Sequence, residues 1–200
     1  MERFLNRLRE AGKPEKVQSY STTIKNALEV WGVPVPDMRA VAKDLTREPD
    51  SLEICRQLWE VKVREPRLLA ALVLQSLAKK TPDQACSLCV QMSNDLCHWE
   101  ETDQLSVALW EACKRTRQVE AVGRLFATAD NPWQKRLAIV FLIRGLRKGE
   151  VDMAYLEELL ELVHREKRGL MRKAMDWVLR EASKAKPQAA DRLRRRFLGG

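Results

Sequence analysis

The segment Asn131-Pro132-Trp133-Gln134-Lys135-Arg136-Leu137-Ala138-Ile139-Val140-Phe141-Leu142-Ile143 decides what kind of fold this chain can have. Asn131 offers a side-chain oxygen that can cap a helix, and Pro132 follows at the first helical position, where its missing N–H is harmless. From Leu137 onward the run is apolar on every side of a helical wheel. A helix of that kind must be surrounded by other helices, as a central inner helix is. Arg136 therefore enters a buried helix at one end, and a guanidinium there needs a carboxylate or phosphate partner.

Outward from this helix the same helical period recurs in nearly every segment, and strand-like alternation is almost absent. The spacing predicts helices over residues 2–11, 14–31, 36–46, 50–63, 65–79, 82–92, 98–115, 117–128, 132–147, 152–164, 167–184 and 187–198. Pro14, Pro36, Pro66, Pro82, Pro132 and Pro187 each stand near the first turn of one of them. The breaks are short and the helices similar in length, so neighbours are expected to pair antiparallel into units of about 30 to 35 residues. The units run 14–46, 50–79, 82–115, 117–147 and 152–184. The fold class is therefore all-α, an α-α superhelix (solenoid) of helical hairpins spanning residues 1–200 as a single domain. On periodicity alone a globular helical bundle stays open, because the self-similarity between units is weak.

Composition excludes several classes. With 45% hydrophobic residues, eight Gly and eight Pro, the chain can bury a core and is not low-complexity. No apolar run is long enough to cross a membrane, and the charged, amphipathic start is unlike a secretory signal, so a cytoplasmic location is expected. Five cysteines make an odd set with no disulfide framework, as in a reducing compartment. Cys86-x-x-Cys89 with Cys97-His98 downstream invites a zinc reading, but no second C-x-x-C or H-x-x-x-H completes it, and thiols at i and i+3 of a helix can simply pack. Neither a metal nor an organic cofactor is expected.

The net charge of +8 is unevenly placed. Residues from Lys135 onward hold 17 Lys/Arg against 9 Asp/Glu, which leaves 19 of each sign for residues 1–134. A cationic face of this kind fits a polyanion, most simply nucleic acid.

Two tryptophans fall outside the apolar stripes of their helices. Leu105, Ala108, Leu109 and Ala112 form one stripe, while Trp99, Asp103, Ser106 and Trp110 form another about a third of a turn away, with Trp99 and Asp103 one turn apart. Downstream, Met171, Met175, Val178 and Ala182 make the apolar stripe, and Trp177 falls among Lys173, Arg180 and Lys184. Either indole could instead pack against a neighbouring helix. Trp31, Trp59, Trp110 and Trp133 are read as packing residues.

With Trp99-x-x-x-Asp103, Asn131-Pro-Trp-Gln-Lys-Arg136 and Arg172-Lys-Ala-Met-Asp-Trp177-Val-Leu-Arg180-Glu in view, the chain resembles the AlkD-like bacterial DNA alkylation repair glycosylases, which are built of HEAT-like repeats. Trp31-Gly-Val-Pro-Val-Pro-Asp-Met-Arg39 and Lys62-Val-Arg-Glu-Pro-Arg-Leu-Leu-Ala-Ala-Leu add to the match, which covers essentially the whole chain. The resemblance implies a groove for duplex DNA and removal of purines alkylated at N3 or N7, without flipping of the damaged base. It implies that Trp99 and Trp177 are the active-site tryptophans, Asp103 the catalytic carboxylate and Arg136 an arginine of the same cleft. It also implies that Arg180 and Arg39 touch the DNA backbone; Arg136, Lys173 and Lys184 are read as further phosphate contacts. The partner expected is double-stranded DNA with alkylated bases, bound by a monomer. Gly169-Leu170 and Pro34-Val35 depart from the family's pattern and bear on substrate range and on activity. A DNA-binding relative that does not cut, or a helical-repeat scaffold for proteins, are the rival readings.

Overall fold

The computed structural model describes residues 1–166 and 169–199, and its chain divides into two compact units, Met1–Arg115 and Thr116–Gly200. The described residues form thirteen helices and no strand, apart from an isolated parallel bridge between Glu29 and Val63.

The first unit holds α1 (Glu2–Glu10), α2 (Pro14–Thr23), α3 (Val35–Leu45), α4 (Ser51–Glu60), α5 (Arg64–Lys80), α6 (Pro82–Ser93) and α7 (Trp99–Thr116, whose last residue lies past the division). Its core is α5, on which α3, α4 and α6 pack. Every residue of α5 from Arg64 to Leu74 is buried, including three charged ones.

The second unit holds α8 (Val119–Ala127), α9 (Pro132–Val140), α10 (Ile143–Leu146), α11 (Met153–Val163), α12 (Gly169–Ala182) and α13 (Pro187–Leu198). Here α9 is central, packed against α8, α11 and α12, and residues Leu137 to Leu142 are each no more than 1% exposed. Asn131 caps α9 as expected, its side chain accepting from the Trp133 N–H at 2.9 Å. The predicted apolar stripe of Met171, Met175, Val178 and Ala182 on α12 is buried. Residues 167–168 of the helix predicted over 167–184, and Gly200, lie outside the described residues.

Two predicted helices are corrected. The segment 14–31 is helical only to Thr23, because Ile24 turns into the core and Lys25 and Asn26 take positive φ of 55° and 54°. The chain then runs extended and is held from a distance: Arg64 N–H donates to Glu29 O at 2.9 Å, and the Glu65 carboxylate accepts the N–H groups of Trp31, Gly32 and Val33 at 2.9, 3.0 and 3.3 Å. Gly32 has φ 82°, and a Cβ there would stand 2.4 Å from the Lys13 carbonyl oxygen, so only glycine fits. The segment 132–147 is divided at Phe141–Leu142, where the backbone stays right-handed and a tighter Leu142 N–H to Ile139 O bond of 3.3 Å replaces the α-helical pattern.

Candidate active site and nucleic-acid interface

In the first unit the candidate residues stand on the opening turns of α7. His98 caps this helix with its ring, Nδ1 accepting the Glu100 N–H at 3.2 Å as a capping oxygen would. Three residues after His98, Glu101 reaches back to accept the Cys97 N–H at 3.2 Å. The start of α7 is thereby set, and Trp99 stands on its first turn with 39% of its surface exposed. Its Nε1–H is not free to swing, because it donates to the carbonyl of Thr23 at the end of α2 (3.2 Å). Asp103 follows one turn later, partly exposed, with its carbonyl accepting Ser106 Oγ–H at 2.7 Å. The stripe Trp99, Asp103, Ser106, Trp110 therefore runs from solvent into the core, where Trp110 is 4% exposed.

Glu100 and Glu101, which flank Trp99 on its C-terminal side, are each gripped by an arginine of α5. Arg64 donates to both oxygens of Glu100 (2.7 and 2.6 Å), to Glu65 (3.0 Å), and lies 4.3 Å from the Tyr20 ring centre. Arg67 donates to Glu101 at 2.9 Å and to the Trp59 carbonyl at 2.9 Å, and pairs with Asp95. Burial alone would raise the Glu101 carboxyl, but His98 and Arg67 outweigh it and hold it below its usual value. Arg64 and Arg67 were not singled out by sequence reasoning. The available signal was two arginines three apart just before the apolar run Leu68 to Leu74, a place where each must find a carboxylate.

Cys97, His98 and Glu101 bring one S, one N and one O donor within 4.8 Å of one another. Their chemistry does not suit a metal. Because Nδ1 accepts a hydrogen bond, Nε2 carries a ring proton; it faces Glu101 Oε1 at 3.5 Å and has no lone pair left to give. Burial beside Glu101 also pushes the Cys97 thiol up to about 12. Cys86 and Cys89 are buried in α6, and Cys86 Sγ lies 3.5 Å from Cys113 Sγ on α7, the packing role weighed for these thiols.

In the second unit Trp177 is half-buried on α12, and Arg136, 6% exposed, holds its guanidinium 6.0 Å from the Trp177 ring centre. That distance is the outer limit of a cation–π contact. Lys173 is exposed on the same helix. Arg180 is exposed and pairs with Asp176 at 3.2 Å, while Asp176 also accepts from Arg194 at 2.6 Å. Lys184 shares Glu181 with Arg147, each at 2.6 Å, and these two cations hold the Glu181 carboxyl down to about 2. The terminal arginines are engaged as well: Arg192 and Arg196 with Glu157, Arg196 also with Glu161, and Arg195 with Asp191. Much of the excess charge thus ties α13 to α11 and α12. Arg39 is exposed on α3 of the first unit. A Cβ at Gly169 would meet open space.

Helical hairpins carrying an open indole and a carboxylate one turn apart in one unit, and a cationic helix face in the other, define an all-α protein equipped for a charged partner. The chain belongs to the DNA alkylation repair enzyme family, whose model matches residues 4–193. A solved structure described as a predicted DNA alkylation repair enzyme from Enterococcus faecalis has the same fold, with a TM-score of 0.81 and 18% identity over 92% of this chain and 89% of that one. No curated protein matches significantly.

Proposed function

We propose that this DNA repair protein is a monofunctional glycosylase that removes cationic N3- or N7-alkylated purines from duplex DNA. The observation that carries the reading is Trp99, exposed yet hydrogen-bonded in place, with the Asp103 carboxylate one turn further along α7. Membership of a family named for alkylation repair supports it.

A purine alkylated at N3 or N7 already bears a positive charge. When the C1′–N bond breaks, its electron pair goes to the base and cancels that charge, so no general acid is required. The sugar becomes an oxocarbenium-like cation, and Asp103 stabilises it. Unit charges about 4 Å apart at an effective dielectric of about 20 attract by roughly 4 kcal/mol, about a thousandfold in rate. Water then adds its oxygen to C1′, and the carboxylate orients it and takes up its proton. The Trp99 face, like that of Trp177, attracts the developing cation by about 0.5 to 2 kcal/mol. Arg39, Arg136, Lys173, Arg180 and Lys184 contact phosphates, Arg136 doing so from beside the Trp177 ring. In this reading Trp99, Trp177 and Asp103 are each catalytic residues, and the HEAT-like character of the hairpins belongs to it too.

The test is release of free base from duplex carrying 7-methylguanine, wild type beside Asp103→Asn. Release by wild type, cut about a thousandfold in the variant with duplex affinity unchanged, is the expected result. Tight duplex binding with no release by either protein would overturn it in favour of a DNA-binding relative that does not cut.

A further inference from the structure

Arg64 is 2% exposed, and its guanidinium has no spare direction. Nε and Nη2 form a two-pronged bond to Glu100, Nη1 donates to Glu65 (3.0 Å) and lies 3.5 Å from the Val33 carbonyl, and the plane rests against Tyr20. A planar donor fork held on three sides is a fixed reference point inside the unit.

Its contacts lie on both sides of one side chain. Glu100 is the residue after Trp99, on the first turn of α7. Tyr20 is on the last turn of α2, three residues before Thr23, whose carbonyl receives the Trp99 indole N–H at 3.2 Å. Arg64 thus joins the backbone that carries the indole to the helix end that receives its N–H. Thr23 precedes the two positive-φ residues Lys25 and Asn26, so the carbonyl it offers depends on how α2 is seated. An indole that is 39% exposed would sample several rotamers if neither end were anchored.

We infer that Arg64 is a positioning residue: through Glu100 on one side and Tyr20 on the other it sets the plane of Trp99. The inference rests on the proposed function for its kinetic consequence, whereas the geometry it asserts stands apart from that reading. A carboxylate partner alone would serve a merely structural role; setting the indole requires both arms.

The test uses the full chain labelled with 15N at tryptophan, with the Trp99 indole N–H signal assigned by its loss in Trp99→Phe. Glu100→Gln removes one arm at constant size, and Tyr20→Leu removes the other. Both leave Arg64 its pairing with Glu65. The Trp99 signal is expected to shift and to exchange faster with solvent in each variant, while those of Trp59 and Trp110 stay in place. On a 7-methylguanine duplex kcat should fall roughly tenfold to a hundredfold with KM changed less than about threefold, the pattern of a misplaced reacting group. An unmoved Trp99 signal in both variants would overturn the inference. So would movement of all the buried indoles together with a drop in Tm, which marks a purely structural pair. Absence of base release by wild type would defeat the proposed function and leave the indole signals to decide the positioning.

Discussion

Asp103 and Trp99 are one turn apart, and α7 keeps them so whatever else moves. What varies at the residue scale is how each charge is balanced. Glu181, 5% exposed, is held between Arg147 and Lys184, and its carboxyl is pulled from 4.5 down to about 2. A carboxyl lower in the folded state than in the unfolded one contributes stability that is complete above about pH 4.5 and is lost as pH falls toward about 2. Because both cations are half exposed, water screens the pair and its contribution is about 1 kcal/mol. Denaturant melts at pH 7 and pH 3 should show a smaller loss on acidification for Glu181→Gln than for wild type. Equal losses would mean that Glu181 does not govern this window.

At the scale of elements, close approach matters more than charge. A Cβ at Gly123 on α8 would lie 1.8 Å from the Tyr155 hydroxyl on α11, a hydroxyl that donates to the Val119 carbonyl at 3.0 Å. Gly123→Ala must therefore push α11 away or break that bond, and should cost about 1 to 3 kcal/mol, read as a lower Tm. An unchanged Tm would show that α8 and α11 tolerate a wider spacing. Helix ends follow the same logic. α2 stops at Thr23 because the Glu65 carboxylate, more than thirty residues away, gathers the N–H groups of Trp31, Gly32 and Val33, and no proline or glycine breaks the run before Gly32. The helical period of 14–31 predicted a longer helix for the same reason: a local pattern does not report a distant acceptor.

For the whole molecule the governing quantity is a net charge of +8 concentrated after Lys135. Many of those cations are spent on Glu157, Glu161, Asp176, Glu181 and Asp191, so fewer charges face a duplex than the count suggests. Duplex affinity should still fall linearly with the logarithm of salt concentration. Arg180→Ala should weaken binding to all sequences alike and lower the slope by about one. A loss confined to particular sequences would mean that Arg180 reads bases. An unchanged slope would mean that its pairing with Asp176 persists in the complex.

The all-α class, the capped start of α9, the buried stripes of α7 and α12 and the off-stripe place of Trp99 and Asp103 were determined by the sequence alone, since a 3.6-residue period and a cap are local properties. Only the tertiary structure decided where α2 ends, that α9 and α10 are separate, which carboxylates receive the terminal arginines, that Arg64 grips Glu100 and that the Thr23 carbonyl receives the Trp99 N–H. Those contacts join residues 36 and 76 positions apart, and nothing in a local pattern selects one distant partner among many of equal chemistry.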